Sequence, residues 1–295
     1  MKDTFGTYHP IINFSYFCAV IVFGMFFLHP VLLLISLSGA FAYSVYLSGK
    51  RALIFNLGFL LPLMLLVAAI NPLFNHRGVT ILGYLRDNPI TLESIFYGLA
   101  SGLMFASIIL WFSCYNAVMT SDKFVYLFGR LIPAMSLILS MGLRFVPKFK
   151  AQARVIADGQ KCVGRDLAAG SAVQRAGHGL KILSILTTWA LENAVDTADS
   201  MRSRGYGLPG RTAFSIFRFD GRDRAGLWIL LLLAAVVLAG AALSQNTMQY
   251  FPMIRLPAFS PLTVLIWTAY LLLCYLPMII NVREDMKWRR LQLKI

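Results

Sequence analysis

Charge is scarce in this 295-residue chain. Asp, Glu, Lys and Arg make up 14% of it, against about 25% in soluble domains. The scarcity is also uneven. The runs 11–28, 30–48, 52–70, 95–117, 226–244 and 261–281 hold no charged residue at all. Each approaches or reaches the ~20 apolar residues that cross a hydrocarbon core. Ionisable groups at membrane depth are what proton relays, voltage sensors and ion-coupled carriers use, so charge-free runs speak against those classes. Cysteine is equally sparse. Of the four, Cys18, Cys114 and Cys274 lie in apolar runs and Cys162 in a charged one, and no C-x-x-C occurs. That excludes a disulfide framework, and the four scattered histidines have no metal-ligand spacing. There is no G-x-x-x-x-G-K-[ST], no H-E-x-x-H, no G-x-S-x-G and no pair of aspartates suited to a diphosphate, so no nucleotide cradle and no familiar hydrolytic site is present.

What is there is an all-α, polytopic membrane protein with about six transmembrane helices. Mean hydropathy is +0.68 and 58% of residues are hydrophobic. Only Lys2 and Asp3 carry charge ahead of the first run, so it reads as a transmembrane helix rather than a cleaved signal. The formal net charge of +14 is distributed with a bias. Residues 118–225 carry 16 Lys/Arg and 8 Asp/Glu, the tail 282–295 carries 5 and 2, and Lys50-Arg51 adds two more cations. The loop 71–94 is balanced at 2 and 2, and 245–260 holds only Arg255. With six spans the basic regions share one side, which the positive-inside rule assigns to the cytoplasm together with both termini. The same bias explains the basic balance without nucleic acid, and makes anionic lipid headgroups the nearby partners.

The chain divides into four parts: an N-terminal group of four spans (1–117), a charged cytoplasmic segment (118–225), two C-terminal spans (226–281) and a basic tail (282–295). Asn71-Pro72 is expected to end the third span. The 71–94 loop is expected to form an ordered outer cap. Within the charged segment, 124–146 is apolar but for Arg130 and Arg144, and its uninterrupted stretch from Leu131 to Leu143 is short for a span. It suits a buried, interfacial or re-entrant helix. Helices are expected over 148–167, with Gly164 and Ala169-Gly170-Ser171 as stops, and over 178–204. In the second, Leu183, Leu186 or Thr187, Ala190, Ala194, Ala198 and Met201 recur at helical steps. That alanine-rich face invites close approach by another helix. Gly205 caps it, and Pro209-Gly210 forbids continuation. Glu192 and Asp196, four apart, share a face and are expected to be solvated and to pair with nearby arginines.

The arginines gather at helix ends: Arg165 after the first helix, Arg202 and Arg204 at the end of the second. Complementing the helix dipole accounts for Arg202. Arg204, held before a Gly205-Tyr206-Gly207 turn, has the fork that binds a carboxylate bidentately. Ser203-Arg204-Gly205-Tyr206-Gly207, after Ala198-Asp199-Ser200-Met201, resembles the second arginine motif of the T components of energy-coupling-factor (ECF) vitamin and metal importers. Leu143-Arg144-Phe145-Val146-Pro147, Asn71-Pro72 and Pro209-Gly210-Arg211-Thr212 fit the same pattern, as does the span order. The resemblance implies a non-enzymatic coupling subunit with no cofactor of its own. Its partners would be two cytoplasmic ABC-type ATPases, which use ATP, and one small substrate-binding membrane protein. It implies two cytoplasmic coupling helices, each ending in an arginine that docks into an acidic ATPase groove. Ser203, Arg204 and Gly205 take that role for the second motif. In the first, Gln160-Lys161-Cys162-Val163-Gly164-Arg165-Asp166 puts Val163 where the arginine is expected. Arg165 sits two positions on, about 200° around a helix of 3.6 residues per turn. Arg165 and Gly164 can serve only if Gly164 ends the helix and turns the chain. A self-sufficient permease or channel is the alternative, and it would need a polar path through the spans.

Overall fold

The charge-free runs become helices because a backbone in lipid must satisfy every N–H and C=O within its own segment. The computed structural model describes residues 3–85, 88–129, 133–208, 217–254 and 260–292. They form α1 (Pro10–Phe26), α2 (Pro30–Ser48), α3 (Lys50–Phe74), α4 (Leu92–Val118), α5 (Ser121–Gly129), α6 (Pro133–Cys162), α7 (Ala172–Ser203), α8 (Gly221–Ala242) and α9 (Pro261–Gln292). Five of these, α2, α3, α4, α8 and α9, are long and apolar enough to cross a membrane, and α1 is an apolar helix of 17 residues. The chain is a multi-pass membrane protein of all-α class. Neither α5 nor α6, which cover the interfacial or re-entrant segment, is among the five.

The chain forms two compact units. The first comprises Met1–Thr120 and Phe217–Ile295. Its core is aromatic: Tyr16, Phe17, Tyr43, Trp111 and Tyr270 are buried, and Trp111 packs edge-on against Tyr16 and Phe17. Polar tips are satisfied inside it. Trp111 Nε1 donates to Ser36 Oγ (3.0 Å) and Tyr16 OH to the Cys274 carbonyl (3.1 Å), as burial of such groups requires. The N-terminal turn is clasped to the bundle. The Phe5 N–H donates to Asn281 Oδ1 (2.8 Å), Asn281 Nδ2 donates to Asp3 Oδ1 (2.8 Å), and the His9 N–H donates to Asp223 Oδ1 (3.3 Å). Helix α3 is held differently. Gly98 and Gly102 of α4 lie so close that an added Cβ would come within 2.6 Å of the Ala68 and Met64 carbonyl oxygens of α3. Small residues four apart allow this backbone approach. Most α3 side chains, among them Ile54, Leu65, Leu66 and Phe74, remain exposed.

One expectation is corrected here. Helix α3 does not stop at Asn71-Pro72 but runs through Pro72 to Phe74, and the Asn75 N–H bonds the Asn71 carbonyl. Proline deletes one donor, which an apolar helix tolerates near its end. The 71–94 loop contains a two-stranded antiparallel hairpin, Ile81–Leu85 with Asn88–Thr91. Glu93 anchors its base by accepting from the Thr80 N–H and hydroxyl (3.1 and 2.7 Å).

The second unit, Ser121–Ile216, holds α5, α6 and α7. The helix expected over 148–167 is the C-terminal part of α6, which continues through Pro147 and ends at Cys162. The apolar turns before Pro147 share an inward face with those after it, Met141, Phe145 and Phe149, so packing holds the helix together across the proline.

Candidate functional site

The candidate site is built by the ends of α6 and α7. Helix α7 starts in a capping box: the Gln174 N–H donates to Ser171 Oγ, and Gln174 Oε1 accepts from the Ser171 N–H. That arrangement satisfies two orphan donors. The start at Ala172 is six residues ahead of the expected 178. At the other end, the Tyr206 N–H reaches the Met201 carbonyl and the Gly205 N–H the Arg202 carbonyl, both at 3.0 Å, with Gly205 at φ +78°. This is a Schellman hook, which needs a left-handed residue after the cap.

Helix α6 ends in the same hook. The Arg165 N–H bonds the Gln160 carbonyl (2.9 Å), the Gly164 N–H bonds the Lys161 carbonyl (3.0 Å), and Gly164 has φ +81°. Gly164 therefore ends the helix and turns the chain, the condition under which Arg165 could serve. In hook register Val163 occupies the position of Arg204, and Arg165 that of Tyr206. Val163 is exposed, and Arg165 Nη1 donates back to Gln160 Oε1 (3.3 Å). Asp166 follows, bridged to Lys161 at 3.5 Å. Its carboxyl is held below the usual carboxylate range, first by the Ala168 N–H and then by the Lys161 ammonium. Arg204, at φ −85° and ψ 9°, closes α7 with its side chain exposed. The Ser203 hydroxyl turns back to the Ser200 carbonyl (2.9 Å), so it serves the helix end. Pro209-Gly210-Arg211-Thr212 lies outside the described residues.

The face of α7 that meets α6 is not the alanine face. Lys148 Nζ donates to Asn193 Oδ1 (2.6 Å) and lies 5.4 Å from the Trp189 ring, which Phe149 meets edge-on. Ile182, Trp189, Asn193, Thr197 and Met201 form the sheltered row; of the expected face Leu186, Ala190 and Met201 are half-buried, while Leu183, Ala194 and Ala198 are exposed. An indole and a buried isoleucine remove more apolar surface from water than alanines do, so they take the contact. Beside that row α6 and α7 enclose a cleft of about 460 Å³. Met141, Arg144, Phe145 and Lys148 line it from α6, and Asp196, Met201 and Arg204 from α7. The expected pairing of Glu192 and Asp196 with arginines does not occur within the salt-bridge distance among the described residues. Asp196 instead shares the cleft with three cations. The signal for this cleft is present in the sequence as i,i+4 pairs, Met141/Phe145 and Arg144/Lys148.

Both helices also leave apolar side chains exposed. Val155, Leu180, Leu191 and Val195 are each more than 60% exposed, which marks an interaction surface.

A family model described as "Cobalt transport protein", CbiQ, matches residues 10–214, more than half of the chain and nearly all of both units' helices up to α7. The chain belongs to the CbiQ family. It is similar to the energy-coupling factor transporter transmembrane protein EcfT of Lactobacillus helveticus, with 32% identity over 108 residues, 36% of this chain and 39% of that protein. EcfT of Bacillus selenitireducens is 33% identical over 36% of this chain and 40% of its own length. EcfT 1 of Listeria monocytogenes is 28% identical over 65% of this chain and 73% of its own. The chain thus spans about two-fifths of the length of the first two relatives. As a CbiQ-family member it is EcfT-like, in line with the arginine motif.

Within this CbiQ-family chain the hook at Gly205 gives a direct test of local geometry. Gly205→Ala forces a Cβ into left-handed backbone and to 3.1 Å from Leu208 Cδ1, at a cost of about 1–2 kcal/mol. Amide exchange at Gly205 and Tyr206 is expected to quicken about tenfold, with Gly205→Asn milder. Unchanged exchange would mean the hook does not need its glycine.

Proposed function

We propose that this chain is the transmembrane coupling subunit of an ECF-type ABC importer for vitamins or transition-metal ions. Helices α6 and α7 dock two cytoplasmic ATPases, and the chain conveys their motion to a separate small substrate-binding membrane subunit. It binds no cofactor itself, and ATP is used by the ATPases. It lies in the cell membrane with both termini, α6 and α7 in the cytoplasm, as the distribution of Lys and Arg argues.

The observation that carries this reading is the pair of matched hooks. Two helices with exposed apolar faces end in the same backbone turn, so each presents one short segment in a fixed direction. Arg204 supplies the cation of the second segment and would fork onto a partner carboxylate. The first segment offers Arg165 from the far side of its glycine, so the two ATPase contacts are unequal. Similarity to EcfT proteins supports the same assignment.

The test is reconstitution. In liposomes the chain alone is expected to support no uptake of the ligand carried by its co-purifying substrate-binding subunit. Uptake is expected only with both ATPases, that subunit and internal or external ATP on the ATPase side. Uptake by the chain alone, without ATP, would favour a self-sufficient permease and overturn the proposal.

A further inference from the structure

The cleft between α6 and α7 is graded in a way the coupling role does not require. Its lining combines three cations, Arg144, Lys148 and Arg204, and one carboxylate, Asp196, with the apolar side chains of Met141, Phe145 and Met201. Cations beside apolar side chains suit an anion that carries a hydrocarbon chain, and a free phosphate would leave the apolar lining unused. Helix α6 repeats the grading along its length. From Leu137 to Leu143 it has no charge and exposes Ile138 and Leu143. From Arg144 onward it carries Lys148, Lys150 and Arg154. A helix that changes from exposed apolar to basic within one turn is built to cross the level of lipid headgroups, and the α6 residues that line the cleft, Met141 to Lys148, span that change. The Arg144 side chain makes no hydrogen bond or ion pair among the described residues.

We propose that this cleft binds one anionic phospholipid, with its phosphate between Arg144 and Lys148 and an acyl chain along Met141 and Phe145. The proposal uses Arg144 and Lys148 and not Arg204, so it stands apart from ATPase docking, and it rests on α6 lying at the level of the lipid headgroups. Lys148 is already fixed by Asn193 and Trp189, so one of the two cations is pre-oriented, which lowers the cost of binding. Headgroup attraction is worth about fivefold in affinity per basic residue.

The test is native mass spectrometry of the full chain in detergent, titrated with phosphatidylglycerol, phosphatidylcholine or inorganic phosphate. One phosphatidylglycerol adduct is expected, with phosphatidylcholine at background. Arg144→Gln should weaken it about fivefold and Arg144→Gln with Lys148→Gln about 25-fold. Arg154→Gln with Arg175→Gln, which removes equal charge outside the cleft, should leave it unchanged. Arg144 is exposed, so its variant folds, and circular dichroism checks that. Arg144→Lys should retain most of the adduct. Equal binding of phosphatidylcholine, equal loss in the control pair, or displacement by inorganic phosphate would each overturn the proposal. So would release of the ATPases by Arg144→Gln with the adduct intact, which would make the cleft a protein-docking site.

Discussion

Arg204→Glu is expected to release the ATPases while leaving this chain folded. The arginine closes α7, its N–H bonding the Arg202 carbonyl, and its exposed side chain makes no hydrogen bond or ion pair among the described residues. Reversing its charge therefore costs the isolated chain no more than about 0.5 kcal/mol. Under the proposed docking, the same change would set a carboxylate against an acidic groove on the ATPase. Truncating one partner of such a pair costs about 2–5 kcal/mol, which is about 30-fold to several thousand-fold in affinity. Repulsion puts Arg204→Glu at the upper end. Arg204→Lys keeps the charge but loses the fork and should weaken docking about tenfold. Arg165→Glu should do less than Arg204→Glu, because Arg165 stands where the second hook has Tyr206 and already donates to Gln160. Pull-down and ATPase stimulation read all three. If Arg204→Glu retains both ATPases and full uptake, the docking role is wrong.

The second large effect lies in the membrane. Gly102→Leu should disrupt the seat of α3 on α4. A Cβ at Gly102 would stand 2.6 Å from the Met64 carbonyl oxygen, and one at Gly98 2.6 Å from that of Ala68. Both obstacles are backbone, so no rotamer change relieves them and the helices must separate. Overpacking of this kind costs about 1–3 kcal/mol per site, and a leucine adds three carbons beyond the Cβ. The single variant should lose several degrees of melting temperature in detergent, and Gly98→Val with Gly102→Val should fail to accumulate. Gly142→Ala, where nothing lies within 4 Å of an added Cβ, is the control and should match wild type. An unaltered melting temperature in Gly102→Leu would show that α3 is not seated through these glycines.

The spans were legible because their signal is the absence of charge over a fixed length, and nothing in tertiary structure can mimic that. The helix ends were legible at Gly164 and Gly205, where only a residue tolerant of left-handed backbone closes a hook. The inner face of α7 was not. Leu183, Ala194 and Ala198 repeat as regularly as Ile182, Trp189 and Asn193, so periodicity alone offers two faces, which share Met201 at the helix end. The choice depends on Phe149 and Lys148 of a helix 40 residues away. Gly98 and Gly102 were overlooked for a related reason. Inside an apolar run a glycine changes little in hydropathy, and its role appears only once a second backbone is placed against it. Pro147 misled in the opposite sense, since it marks a boundary locally that packing of Phe145 and Phe149 on α7 overrides. The displaced arginine of the first motif is the informative departure. Both hooks have the same backbone, so the inequality between Val163 and Arg204 resides in side chains alone and Val163→Arg should strengthen the weaker contact.

The most direct measurement is the intact mass of the complex that purifies with the tagged full chain from native membranes, without added ATP. The account predicts one copy of this chain with two ATPase polypeptides and one small membrane protein. A chain that purifies alone, or only with copies of itself, and still mediates uptake would contradict it.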